Sequence, residues 1–152
     1  MSTYFCFKAA IITFKYIHKS EMKSRKILNE HIGLLLLRIF IGLRLIYGVA
    51  DNVASWDKML EFSAFLDANG FPVPTISAVI SVYAQLICGL FVLIGFNIRP
   101  AALIMVVNFL IAILMIHTND TVEEMTPALA MLFGSACLFF TGAGRIAVGF
   151  SR

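Results

Sequence analysis

Two long apolar runs joined by a very short polar hinge constrain this chain more than any other feature. The runs occupy about residues 76–96 and 100–117, and the hinge 97–100 reads NIRP. Neither run contains Asp, Glu or Lys, and Arg99 of the hinge is the only cation between them. Uncharged apolar runs of this length are typical of helices that span a bilayer. The hinge is so short that the two helices are predicted to be antiparallel neighbours.

Composition supports a membrane protein with a single domain. The chain has 152 residues, of which 60% are hydrophobic and 14% charged, and its mean hydropathy is +0.89. Soluble domains carry about 25% charged residues, so this deficit indicates that lipid is the solvent. The net charge of +3 is concentrated at the N-terminus and does not indicate a nucleic-acid partner.

The predicted fold is an all-α integral membrane protein, an antiparallel bundle of four transmembrane helices. The predicted spans are at about residues 33–50, 76–96, 100–117 and 126–143. Residues 118–125, between the last two spans, are predicted to form an acidic outer loop with Asp120, Glu123 and Glu124. The first outer loop contains Trp56–Asn69, in which Met59, Phe62 and Leu66 recur at helical spacing between acidic residues. We therefore expect a short amphipathic helix on the membrane surface, with Trp56 as an interfacial anchor.

The distribution of cations predicts the topology. Nine of the 12 Lys and Arg residues precede the first span, lie in the hinge or lie in the tail, whereas Lys58 is the only one predicted on the opposite side. By the positive-inside rule both termini are cytoplasmic. We expect residues 1–29 to form a basic amphipathic segment on the inner surface, 30–149 the membrane domain and 150–152 a tail. A competing interpretation is that the natural chain begins at Met22.

Polar side chains inside the spans are predicted to meet in one layer. Counting about 1.5 Å per residue, four of them lie at a similar depth near the midplane: Arg44, Gln85, Asn108 and Ser135. No carboxylate occurs within any predicted span. One interpretation is that these groups hydrogen-bond the helices together. The other is that Arg44 faces a small cavity for an anionic or carbonyl-bearing molecule, such as a quinone headgroup or a sulfur oxyanion. Arg38 is expected at the inner interface, where its side chain can snorkel.

Other candidate groups give weaker signals. His117 and Asp120 could relay protons or bind a metal, but two ligands do not define a site, and a polar helix end is the alternative. Cys6, Cys88 and Cys137 show no CxxC spacing, so we predict neither a disulfide framework nor a metal site. Thiol chemistry would require Cys88 and Cys137 to be adjacent. No Walker loop, GxGxxG or haem motif occurs.

The order of several motifs resembles the DoxX family of small bacterial membrane proteins. The resemblance runs from about Leu34 to Gly149 and is carried by four segments: LLLRIFIGLRLIYG, NGFPVP, QLICGLFVLIGFNIRPAALI and TGAGR. By position, five residues match the family pattern: Arg38, Arg99, His117, Gly144 and Arg145. Two positions depart from it, since the family usually has an acid where this chain has Gln85 and a lysine where it has Asp51 or Asn52. Arg44 replaces a usually apolar residue.

The resemblance implies a function as well as a fold. DoxX proteins are similar to the small membrane subunit of thiosulfate:quinone oxidoreductase, and some belong to complexes tied to thiol defence. It therefore implies a membrane subunit of a quinone-linked or thiol- and sulfur-related oxidoreductase complex. Quinone is then the candidate cofactor, with no covalently bound group, and redox proteins are the candidate partners. The alternative is a non-enzymatic carrier or membrane scaffold, for which a homo-oligomer is expected.

Overall fold

The computed structural model describes residues 29–116 and 120–148 of the chain. His117 and the basic segment up to residue 28 therefore lie outside the described residues. The chain divides into two compact units, residues 1–33 and 34–152. The described residues contain five helices: α1 Asn29–Ala54, α2 Trp56–Ala68, α3 Pro74–Ile94, α4 Ile98–Met115 and α5 Val122–Thr141.

Four of these helices match the predicted spans. In the described part of the chain, α1, α3, α4 and α5 are long and apolar enough to cross a membrane. The boundaries differ by up to four residues, at both ends of α1 and at the start of α5, which begins at Val122 because Thr121 and Glu124 form a capping box there. The Thr121 hydroxyl accepts from the backbone N–H of Glu124, and the Glu124 carboxylate accepts from the backbone N–H of Thr121. Glu123 and Glu124, which were predicted to lie in a loop, are thus part of the first turn of α5.

The hinge between α3 and α4 is a tight turn, as its short length predicts. Gly95 follows α3 with a φ of 84°, a left-handed conformation that favours glycine. Asn97, with a φ of 42°, precedes α4. Arg99 and Pro100 fall within the first turn of α4, where a proline costs no hydrogen bond. The hinge is therefore shorter than the NIRP segment.

Small residues let α1 pack closely against its neighbours. A methyl group added at Gly42 of α1 would lie 3.0 Å from the backbone oxygen of Gly89 on α3. Ile41 of α1 fills the space beside Gly134 of α5 in the same way. Because α3 also contacts α4, and α4 contacts α5, the four long helices form a closed ring of neighbours. The main buried cluster at their centre includes Ile41, and its other buried members are Leu45, Cys88, Val92, Ile98, Ala101, Ala102, Met105, Met131 and Leu138.

Helix α2 occupies the stretch in which the sequence predicts a short amphipathic helix. It buries Met59 and Leu66 against α3 in a second apolar cluster, which also contains Val49 of α1. The Ser63 and Thr75 hydroxyls hydrogen-bond across the α2–α3 contact at 2.9 Å. Ser55 occupies the N-cap position, but its side chain makes no capping bond. Trp56 is 60% exposed, and the bilayer-surface location predicted for this helix stays a prediction.

Candidate functional site

A cavity of about 380 Å³ lies among the four long helices. Its lining comprises Arg44, Leu45 and Gly48 of α1, Gln85 of α3, Phe109 of α4, and Glu124, Pro127, Ala128 and Met131 of α5. The volume is within the range of small-molecule sites, roughly 300–1,000 Å³. Most of the wall is apolar, and three polar side chains face the same space. Two of them, Arg44 and Gln85, belong to the predicted midplane layer.

Arg44 extends along its own helix rather than into the bundle centre. A methyl group added at Gly48 would lie 2.9 Å from Nη1 of Arg44, so the arginine lies over this glycine one turn further along α1. One turn moves the guanidinium roughly 6 Å towards the end of α1 at Ala54. That end is the outer one in the predicted topology. The charge therefore lies nearer the outer interface than the depth of the Arg44 Cα suggests.

Glu124 supplies the carboxylate that the sequence does not place in any span. It is the third residue of α5, where it caps the helix and also lines the cavity. The Thr121 backbone N–H and hydroxyl both donate to its Oε2 at 2.9 Å. Lys58 and Glu61 form an ion pair at 2.7 Å, whereas Arg44 and Glu124, both among the described residues, do not pair with each other. The cavity thus contains two opposite charges that do not pair with each other.

A short hydrogen-bond chain connects Gln85 with Asn108. Gln85 donates through Nε2 to the Ser81 hydroxyl at 3.3 Å, and that hydroxyl donates to Oδ1 of Asn108 at 2.9 Å. The chain joins α3 to α4, so Asn108 serves the interhelical role that was one of the two interpretations. Asn108 does not line the cavity, but it is linked to the amide of Gln85 through the Ser81 hydroxyl.

Ser135 lies apart from the other three members of the predicted layer. It is 1% exposed, it does not line the cavity, and its hydroxyl has no hydrogen-bond partner among the described residues. Depth along a helix follows from residue number, but direction around the helix changes by 100° per residue. The equal depth of Ser135 and Arg44 therefore does not bring them to the same space.

Arg38 is buried rather than snorkelling to the interface, which corrects the expectation from its depth. It is 1% exposed, and its guanidinium donates to four backbone carbonyls. Nε donates to Val92 O at 3.0 Å and Nη2 to Leu93 O at 3.2 Å, both in the last turn of α3. Nη1 donates to Ala143 O at 3.0 Å and to Ile146 O in the segment after α5. The side chain stays inside because these carbonyls solvate it better than the interface would.

The end of α3 is completed by Arg38 and by the chain after α5. The last four carbonyls of a helix have no partner within it. Here Phe91 O accepts from the Gly95 N–H, Val92 O and Leu93 O accept from Arg38, and Ile94 O accepts from the Val148 N–H. Every one is satisfied. The cation also lies at the negative end of the α3 macrodipole, which favours its charge.

The remaining candidates occupy separate positions. Arg99 is exposed, and its Nε would lie 3.7 Å from a methyl group added at Gly142. Gly144 has a φ of 70° between Ala143 and Ile146, which both bind Arg38. Two of the predicted positions, Arg38 and Gly144, therefore lie close together at the end of α3.

The two described cysteines lie in different environments. Cys88 is buried in the central apolar cluster, whereas Cys137 is exposed on α5, and both are free thiols. Cys6 lies outside the described residues. No group of three or more His, Cys, Asp or Glu side chains within 29–116 and 120–148 could hold a metal ion.

Two features of the site were missed from the sequence. The acidic residues at 118–125 predict a loop that includes Glu124. The pattern Thr-x-x-Glu at 121–124 is, however, a capping-box signature, and it indicates that α5 begins there. No sequence pattern indicates the role of Arg38, because its partners are backbone carbonyls, which every residue type provides.

Comparison with known families shows that the chain matches the DoxX family. The family model for DoxX matches residues 33–118, more than half of the chain. Comparison with curated proteins and with solved structures gives no significant match. The matched range includes α1 to α4 and both Arg38 and Arg44, but it ends before α5.

Proposed function

Because the chain belongs to the DoxX family, we propose that it is the membrane subunit of an oxidoreductase complex linked to quinones or to thiol and sulfur compounds. It is a multi-pass membrane protein, with four apolar helices among its described residues. The observation that supports a ligand-binding role is the cavity, where Arg44, Gln85 and Glu124 face a mostly apolar wall.

The residues of the cavity suit a headgroup that accepts hydrogen bonds. The Arg44 guanidinium offers several donors in one plane, which fits a carbonyl or an oxyanion. Gln85 is positioned by Ser81 and adds an amide beside it. Phe109 and Met131 supply apolar surface for a ring or a chain. A quinone headgroup meets these requirements, and these residues would bind and orient it while partner proteins carry out electron transfer.

The proposal is tested on the protein purified from native membranes under mild conditions. Quinone reduction is followed by absorbance, with and without thiosulfate as sulfur donor, for the wild type and for Arg44→Leu. Loss of a charge-assisted hydrogen bond should lower turnover about ten- to hundredfold. Arg99→Leu is the matched control and should retain wild-type turnover, because Arg99 is exposed like Arg44 but does not line the cavity.

Two outcomes would contradict the proposal. Equal turnover in Arg44→Leu and the wild type would show that the cavity does not serve the reaction. A purified wild-type protein that forms an isolated oligomer, with no reductase or sulfurtransferase and no quinone reduction, would favour the non-enzymatic carrier or scaffold. Co-elution of a reductase or sulfurtransferase together with Arg44-dependent turnover is the expected result.

A further inference from the structure

The cavity has a charge pattern that hydrogen-bond acceptors alone do not satisfy. Arg44 and Glu124 both face it, and no ion pair joins them among the described residues. Both side chains are exposed, and the Glu124 carboxylate already accepts two hydrogen bonds from Thr121, so a ligand reaches both charges without breaking an ion pair. A neutral quinone or an oxyanion satisfies Arg44 and leaves the Glu124 carboxylate opposite another acceptor. A ligand that has a cation or donor as well as an acceptor therefore complements both charges, whereas an acceptor alone complements only Arg44.

We propose that the cavity binds an amphiphile with a zwitterionic headgroup, its acidic oxygens at Arg44 and Gln85 and its ammonium at Glu124. The inference rests on the proposed role of the cavity as a ligand site, and it does not depend on the redox role. A phosphate or carboxylate accepts from the planar guanidinium, and a primary ammonium donates to the carboxylate. The apolar wall around Phe109 and Met131 takes the attached chain.

The position of the cavity agrees with this class of ligand. Glu124 lies in the first turn of α5, and the Arg44 guanidinium is displaced along α1 towards the same end of the bundle. Helix α1 has 26 residues, or roughly 39 Å, and is longer than the hydrocarbon core of about 30 Å. Its end therefore reaches into the headgroup region, and the two charges lie at a depth that a lipid headgroup can reach. Phosphate and ammonium in one molecule are the groups of an aminophospholipid.

Glu124 allows a clean test because its two roles separate on substitution. Glutamine is also accepted at the third position of a capping box, so Glu124→Gln removes the charge while keeping the helix cap. Glu123→Gln removes a neighbouring exposed carboxylate that does not line the cavity. A difference between these two variants therefore reports the cavity charge.

The experiment is native mass spectrometry of the full chain in detergent with added lipids of equal chain length. Phosphatidylethanolamine provides phosphate and ammonium, and phosphatidylglycerol provides phosphate alone. The wild type should retain phosphatidylethanolamine about tenfold more strongly, as expected for one charge-assisted hydrogen bond. Glu124→Gln should abolish this preference, Glu123→Gln should keep it, and Arg44→Leu should weaken both lipids about tenfold or more.

Two further measurements distinguish a lipid from a soluble ligand, and a failure of this inference from a failure of the proposed function. Binding of free phosphoethanolamine as strong as that of the lipid would assign the site to a soluble zwitterion, and weaker binding would assign it to a lipid. Equal binding of both lipids, or an unchanged preference in Glu124→Gln, overturns the inference. If a water-soluble quinone still binds in an Arg44-dependent manner, the proposed function survives that failure. If Arg44→Leu changes neither lipid nor quinone binding, both fail.

Discussion

Replacing Arg38 with methionine removes the guanidinium while preserving most of the length and apolar volume of the side chain. In the wild type this group donates to carbonyls of α3 and of the segment after α5. Arg38→Met leaves four acceptors without their partner. It creates little empty space, so the effect reports lost hydrogen bonds rather than a cavity.

The expected destabilisation follows from where the four carbonyls lie. Val92 is 1% exposed, so its carbonyl cannot be rehydrated, and Leu93 is only partly exposed. An acceptor left unpaired in a buried position costs about 1–3 kcal/mol. Ile146 is exposed, so its carbonyl and that of neighbouring Ala143 recover water at little cost. Interhelical hydrogen bonds in membranes measure at the lower end, averaging about 0.6 kcal/mol. We expect a total loss of about 3 kcal/mol, which is two factors of ten in the unfolding equilibrium.

The measurement is unfolding by SDS in mixed micelles, followed by circular dichroism. Arg38→Lys should fall between the wild type and methionine, because an ammonium lacks the planar fork that reaches several carbonyls at once. Arg99→Met is the matched control and should change the free energy of unfolding by less than about 0.5 kcal/mol, since Arg99 is exposed. Hydrogen exchange at the Val148 amide should also accelerate in Arg38→Met, because its acceptor lies at the same helix end.

A wild-type free energy of unfolding in Arg38→Met would refute this reasoning. It would mean that the carbonyls find other partners without cost, and that burial of Arg38 serves something other than the end of α3. Unchanged exchange at Val148 with a large destabilisation would also contradict the part of the argument that links Arg38 to the final segment.

Three further substitutions test local features of the fold by the same unfolding assay. Gly95→Ala should destabilise by about 2–4 kcal/mol, because the added methyl group is strained at a φ of 84° and meets the Arg38 guanidinium, and normal stability would contradict this packing. Thr121→Ala should cost about 1 kcal/mol by removing the cap that pairs with Glu124, whereas Thr121→Ser should not. Val73→Asn should stabilise by about 1 kcal/mol, because Val73 has a φ of 49° that asparagine tolerates better, and a loss of stability would show that the strain is absent.

The fold was largely predictable because membrane-spanning helices leave a strong one-dimensional signal. Long uncharged runs located α3 and α4, and their short hinge required antiparallel neighbours. The span of α1 was predicted despite two internal arginines. The ends were less certain, and α5 begins earlier than predicted because the capping box uses Glu124, whose charge had suggested a loop.

The site was predictable in part. Depth counting brought Arg44 and Gln85 to one level, and the structure places both on one cavity. It also predicted Asn108 and Ser135 at that level, and neither lines this cavity, because depth does not specify direction around a helix. Neither arginine takes the direction that its depth suggested, since Arg38 is buried against carbonyls at the end of α3 and Arg44 extends towards the end of α1 at Ala54. Side-chain direction depends on neighbouring backbone and small residues, which a sequence pattern does not show.

If Arg44, Gln85 and Glu124 face a ligand-binding cavity, an electron cryomicroscopy map of the protein in native lipid should show a bound headgroup there. We expect density between α1 and α5, within hydrogen-bond distance of the Arg44 guanidinium, and its loss in Arg44→Leu. A map in which Arg44 and Glu124 pair directly and fill the space, with no added density, would contradict it.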